Sequence, residues 1–225
     1  MILCSLLLLL PAHAQDASSP ESGNLEPKKM DVHLSVFGLG SFPMSGRNLN
    51  VGGEELPHTS IGGGVGAGYK AGIFPHFLKR IVGLEAESFG FGANMNTPQT
   101  VTAAGIHANA DAHFIAVTTM ANLLVRYPGQ RFQPYAGVGV GWSSGYLLGS
   151  DIGYGSDRVT GQVGTMTFAH QFLVGVRGYV TQKVFVFGEY KYFVAKYDWD
   201  GHGARPAVTL NLHAPLLSVG VGLSF

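Results

Sequence analysis

The chain is poor in charge. Asp, Glu, Lys and Arg make up 12% of its 225 residues, against about 25% in an average soluble protein. A water-facing surface needs more than that. Acids and bases number 14 each, so the formal net charge is zero. That balance excludes the basic field of a nucleic-acid binder and the polybasic face of a helix lying on a membrane. Cysteine is nearly absent: Cys4 is the single one, inside an apolar run at the start. No disulfide framework is available to the rest of the chain, so its stability must come from hydrogen bonding and packing. A lipid anchor on Cys4 would leave almost no apolar segment ahead of it and a Leu run behind it, which is the wrong order. No later window reaches 18 consecutive apolar residues, so no transmembrane helix is expected.

What is abundant is glycine, 33 of 225 residues, about twice the usual ~7%. The start reads as an export signal. Ile2 to Leu10 is apolar, and Ala12-His13-Ala14 fits an A-x-A cleavage site that leaves Gln15 as the mature N-terminus. The run is too short to span a bilayer, which needs about 20 residues. No basic residue precedes Ile2, so we expect the true start codon upstream; a longer clone without export activity would remove that idea. Gln15 to Met30 is polar, with Pro20, Gly23 and Pro27, and reads as a flexible lead-in. The expected organisation is therefore a signal peptide over 1–14, a lead-in over 15–30 and one domain over 31–225.

That domain carries eight segments of alternating pattern, over 31–42, 59–71, 81–91, 114–127, 134–146, 166–180, 183–197 and 208–225. The gaps after the first, third, fifth and seventh are long: 43–58, 92–113, 147–165 and 198–207. The gaps after the second, fourth and sixth are short: Gly72 to Arg80, Pro128 to Gln133, and Thr181-Gln182. Long and short connections alternating over an even number of strands describe an up-and-down barrel across a membrane. A further hairpin within 92–113 would change the strand count.

Within segments the two faces differ. Val117, Thr119, Ala121, Leu123, Val125 and Tyr127 alternate with Thr118, Asn122 and Arg126. Val82, Leu84 and Ala86 alternate with Gly83, Glu85 and Glu87; Ala136, Val138, Val140 and Trp142 alternate with glycines. In a soluble barrel the apolar face points in; in a membrane barrel it points out to lipid. Three features choose the membrane. Charge is scarce, the polar face is crowded with glycine, and aromatics gather near segment ends. Those aromatics are Phe42, Tyr69, Tyr127, Tyr135, Tyr179, Tyr192, Tyr197, Trp199 and Phe225, read as girdles at the two interfaces.

The last strand is the sharpest signal. Leu217, Val219, Val221, Leu223 and Phe225 alternate with Ser218, Gly220, Gly222 and Ser224. A strand ending on an aromatic in this way resembles the closing strand of bacterial outer-membrane β-barrels, whose assembly machinery reads a terminal Phe. With GLEAE at Gly83–Glu87, ANLLVRYP at Ala121–Pro128, QPYAGVGVG at Gln133–Gly141, VGVRGYV at Val174–Val180 and VFGEYKY at Val186–Tyr192, residues 31–225 resemble the small outer-membrane barrels of the OmpA type and their relatives. The departures are Leu at position 223, where an aromatic is usual, and the lack of a peptidoglycan-binding domain among the 225 residues. The resemblance implies an all-β fold: an eight-stranded antiparallel up-and-down transmembrane barrel in the bacterial outer membrane, with both termini periplasmic. It implies outer-membrane lipid and the barrel-assembly machinery as partners.

Candidate chemistry is thin. Glu85, Glu87 and Glu189 face Arg126, Arg177 and Lys191 on the expected inner face. This is either a structural network in a plugged lumen or a set of switching salt bridges in a pore. An eight-stranded lumen is just wide enough for side chains to fill, which favours the plug. His107, Asn109, Asp111 and His113 would share one side of an extended segment, but without a ligand-spacing motif they are not read as a metal site. Some small outer-membrane barrels modify lipid A, using a Ser, a His and an acid. His33 with Ser35, and His58 with Ser60 near Glu54 and Glu55, come closest; both pairs are read as structural. Gly62 to Gly68 lacks the following helix that a phosphate loop needs and reads as close strand approach. The expectation is a non-enzymatic barrel without cofactor, acting in envelope structure or surface interaction through its outer loops. The alternatives are a narrow channel for small or apolar solutes and, behind it, a lipid A-modifying enzyme. The loop ligand is not legible.

Overall fold

In the computed structural model, the described residues are 30–44, 49–51, 54–55, 60–96, 106–109, 111–148, 151–154, 163–200 and 207–225. The signal residues Ala12, Ala14 and Gln15, the lead-in before residue 30, and His58 lie outside them. Eight long strands dominate: β1 (Met30–Ser41), β2 (Ser60–Pro75), β3 (Val82–Asn96), β4 (Asp111–Arg126), β5 (Phe132–Leu148), β6 (Val163–Tyr179), β7 (Val184–Trp199) and β8 (Val208–Ser224). Each pairs antiparallel with its sequence neighbours, and β1 also pairs with β8, which closes the barrel. Every wall strand thus has a partner on both sides, the condition for crossing lipid without unpaired backbone groups. Among the described residues, no helix is long and apolar enough to cross a membrane.

Strands run farther than the sequence pattern suggests, mostly at the end away from the short turns. β3, for instance, reaches Asn96 and β4 begins at Asp111, whereas β2 gains its extra residues at the short-turn end, to Pro75. The stretch 92–113 does contain an additional strand, Ile106–Asn109, but it adds nothing to the barrel. It pairs with Asp151–Tyr154 as a separate two-stranded ribbon linking two outer loops. β8 also outruns β1 at the outer end. Its exposed edge is covered by Leu49–Val51, which pairs with Val208–Leu210, and by the backbone N–H groups of Phe42 and Met44, which bond the carbonyls of Pro215 and His213.

The register sets the shape. One row of paired residues runs His213, Val194, His170, Val140, Ala121, Ala86, Ala71 and Leu34, and returns to β8 at Leu223. The stagger is ten residues (223 − 213). With about 3.4 Å per residue and about 4.8 Å between strands, ten residues over eight strands give a tilt of about 41° and a radius of about 8 Å. Each residue then climbs about 2.6 Å along the axis.

On that scale Tyr127, Phe132 and Phe225 form one belt near the short turns. Phe42, Trp142 and Phe168 form a second about 27 Å above it. All six are at least half exposed, and their spacing matches an apolar band about 25 Å tall. The girdle expected from sequence needs correction. Tyr135, Tyr197 and Trp199 are buried inside the barrel, and Tyr179 packs on Phe185. Tyr69 is exposed on the wall between the belts.

Candidate functional site

Alternation sends Glu85, Glu87, Arg126, Arg177, Glu189 and Lys191 inward, where none is more than 4% exposed. Glycines make the room. A Cβ at Gly72 would collide with the His33 ring, and one at Gly139 with the Asn122 amide. At Gly68 it would stand 2.5 Å from Phe37 and 2.6 Å from Phe89, so the Gly62–Gly68 stretch serves close packing.

The polar side chains form tiers above the short turns. Lowest is Arg126, paired with Asp31. It also donates to Gln133 Oε1 (3.0 Å) and to the Arg80 carbonyl (2.9 Å), with its guanidinium 3.7 Å above the Phe74 ring. Arg80 and Lys79 both hold left-handed backbone, φ 56° and 52°, a conformation that costs each roughly 1–2 kcal/mol. The other carboxylate oxygen of Asp31 accepts the Ser224 hydroxyl at 2.7 Å. Strands β1, β4, β5 and β8 are thereby tied at the periplasmic end.

The next tier centres on Glu85. Its Oε2 lies 2.9 Å from His33 Nε2 and 3.1 Å from Arg177 Nη2. The same Nε2 lies 2.9 Å from Arg177 Nη2, so the ring donates to Glu85 in one tautomer and accepts from Arg177 in the other. Lys70 bridges upward, 3.7 Å from Glu85 and 2.9 Å from Glu189. Glu189 also accepts the Tyr135 hydroxyl at 2.8 Å. Glu87 pairs with Lys191 and accepts from Asn122 (3.1 Å) and Gln171 (3.0 Å). Both lysines lie over aromatic faces, Lys70 4.3 Å from Phe187 and Lys191 4.5 Å from Phe37. Above them Thr118, Ser143 and Tyr197 share hydroxyl contacts of 2.7 and 2.6 Å.

The outer half of the lumen is apolar. Phe91, Phe114, Phe193, Tyr197 and Trp199 meet mostly edge to face or stacked. Leu147, Leu210, Leu212 and Leu216 fill the space between, all 5% exposed or less. The sequence pattern, which assigned the inner face to Gly, Ser and charge, missed this apolar cluster. It also missed Lys70 and Asp31 as members of the network. With them, and among the described residues, four carboxylates face four cations inside the wall. Lys70 had a visible signal: it continues the phase of Gly64, Gly66 and Gly68.

His33 and Ser35 share the inner face, but His33 is engaged with Glu85, and no hydrogen bond joins it to Ser35. Glu54, Glu55, His107, Asn109 and Asp111 have side chains outside the described residues, while His113 is exposed. Among the described residues, no three His, Cys, Asp or Glu side chains gather around a common point for a metal ion.

On β8, Leu217, Val219, Val221, Leu223 and Phe225 all face outward and are about half exposed or more. Gly220 and Gly222 face inward and leave space for Phe187 and Phe185. The backbone of Phe225 pairs with Val32.

Solved structures share this fold. Neisserial surface protein A has 14% identity and a TM-score of 0.51, with 88% of this chain and 98% of that chain covered. The outer membrane protein OprG from Pseudomonas aeruginosa has 14% identity and a TM-score of 0.56, covering 87% and 95%. The outer membrane protein AlkL, determined in lipid bilayers, has 18% identity and a TM-score of 0.50, covering 94% and 97%. No curated protein matches the chain. The sequence model of one family does, over residues 2–225. Closed eight-strand topology, lipid-facing wall and sequence agree on the bacterial outer membrane, with both termini on the periplasmic side. The chain belongs to the outer membrane protein beta-barrel domain family.

Proposed function

We propose that the protein is a non-enzymatic outer-membrane barrel with a sealed lumen, contributing to envelope structure or surface interaction through its extracellular loops. The observation that carries this reading is the filled interior. A balanced ionic network occupies the periplasmic half, and a packed apolar cluster occupies the outer half. An eight-stranded wall leaves room for side chains and little else. The ribbon between Ile106–Asn109 and Asp151–Tyr154 joins two loops outside the membrane, which supports a shaped surface there. Insertion by the assembly machinery would use the strand from Leu217 to Phe225.

The test is planar-bilayer conductance of the refolded mature protein, residues 15–225, after a heat-shift gel confirms folding. A folded, silent barrel is expected. Reproducible conductance steps that change when Arg126 or Glu85 is neutralised would replace this reading with a narrow channel.

A further inference from the structure

The outer wall is sparsely charged. Among the described residues, Lys196 is the one Lys or Arg on that wall above the middle of the apolar band. The other described cations lie in the lumen, as Lys70, Arg126, Arg177 and Lys191, or on the short turns, as Lys79, Arg80, Arg131 and Lys183. The stagger puts Lys196 and His213 within about 5 Å above the outer aromatic belt, where headgroups begin.

The register surrounds Lys196 with donors. Asn211 is its direct partner on β8. Val194, two residues below, pairs with His170 on one side and His213 on the other, which makes both histidines diagonal neighbours of Lys196 on the same face. The Tyr192 hydroxyl lies 3.2 Å from His213 Nδ1. If it donates there, the imidazole proton sits on Nε2, a further donor. Lys196 stands 3.4 Å from Asp198, with the two side chains 61% and 54% exposed. An ion pair that open to solvent is weak, so the ammonium stays available. Asp198 itself is held by the Thr209 hydroxyl at 2.7 Å.

We propose that this face of β6, β7 and β8 docks the phosphorylated headgroup of an outer-leaflet glycolipid of the lipid A class. The phosphate accepts from the Lys196 ammonium, the Asn211 amide and the histidine N–H groups. The acyl chains run down the apolar wall below, past Phe172 and Leu217, both exposed.

Native mass spectrometry of the refolded barrel tests this, with added diphosphorylated lipid A and the same glycolipid stripped of phosphate. The readout is the fraction of folded barrel that retains lipid. Lipid A should be retained over the dephosphorylated form. Lys196→Gln should lower retention by about fivefold, the worth of one Lys near an anionic surface. Asp198→Asn should raise it, which keeps the test decisive should Lys196→Gln fold poorly. Equal retention of the dephosphorylated glycolipid overturns the proposal. So does a Lys196→Gln barrel that retains lipid A as the unsubstituted protein does, or an Asp198→Asn barrel that loses it.

Discussion

Removing one partner of the Glu87–Lys191 pair should harm the barrel more than removing both. The two side chains are 2% and 0% exposed, so neither charge has water to turn to. Lys191→Met keeps the volume but strands Glu87 as an unbalanced carboxylate. Breaking a buried pair in this way costs about 3–5 kcal/mol. Glu87→Gln leaves Lys191 with Glu189 at 3.3 Å, so its cost should lie near the lower end, about 3 kcal/mol. The double variant restores equal numbers of acids and bases. Its remaining cost is an altered set of hydrogen bonds to Asn122 and Gln171, about 1 kcal/mol. The coupling between the two sites, the sum of the single costs less the cost of the double, should therefore reach about 5 kcal/mol. Urea unfolding in phospholipid vesicles reads it, followed by Trp142 and Trp199 fluorescence and by heat-shift gels. Additive single effects, or single variants within about 1 kcal/mol of the parent, would refute the reasoning. Such a result would mean that water reaches the pair and screens it, and the lumen would then have to be treated as a pore.

Three further outcomes follow from the wall. Leu123 faces lipid close to midway between the aromatic belts, so Leu123→Lys should cost about 2–4 kcal/mol, while Tyr127→Lys at the lower belt should cost no more than about 1; equal costs would overturn the axial scale. Gly66→Ala puts a Cβ into the Gly90 carbonyl and should destabilise by about 1–3 kcal/mol or more, whereas Gly188→Ala meets nothing within 4 Å and should shift the urea midpoint hardly at all. Deleting Phe225 should cut the amount of barrel inserted in cells yet leave refolding in vitro intact; loss of both would make the residue a packing element and no assembly signal.

The lipid-facing half of the fold was legible because its chemistry has one reading. Val117, Ala121, Leu123 and Val125 recur at period two, and a face that is apolar over many strands, in a chain with so few charges, has to meet lipid. The inner face has no such single signature. Phe91, Phe114, Tyr197 and Leu210 bury one another inside the wall as fully as lipid would cover them outside, and alternation of polarity fades toward the outer ends of β7 and β8. That is why Tyr197 and Trp199 read as girdle residues when they belong to the buried apolar cluster. Asp31 was hidden for a different cause: it sits at the start of β1, where its role depends on Arg126, 95 residues away, and no local pattern encodes that distance. Charge counting points to such partners. Three acids facing three bases are already neutral, so the count by itself gives no reason to look for Lys70. Once glycine phase places Lys70 inside, where it is buried, a balanced set of buried charges requires a fourth acid. Met30 to Arg126 offers Asp31, Glu85 and Glu87 on described inward positions. The same condition makes the network testable as one unit: any substitution that changes its charge by one should be rescued by a compensating change elsewhere in the lumen, whichever strand carries it.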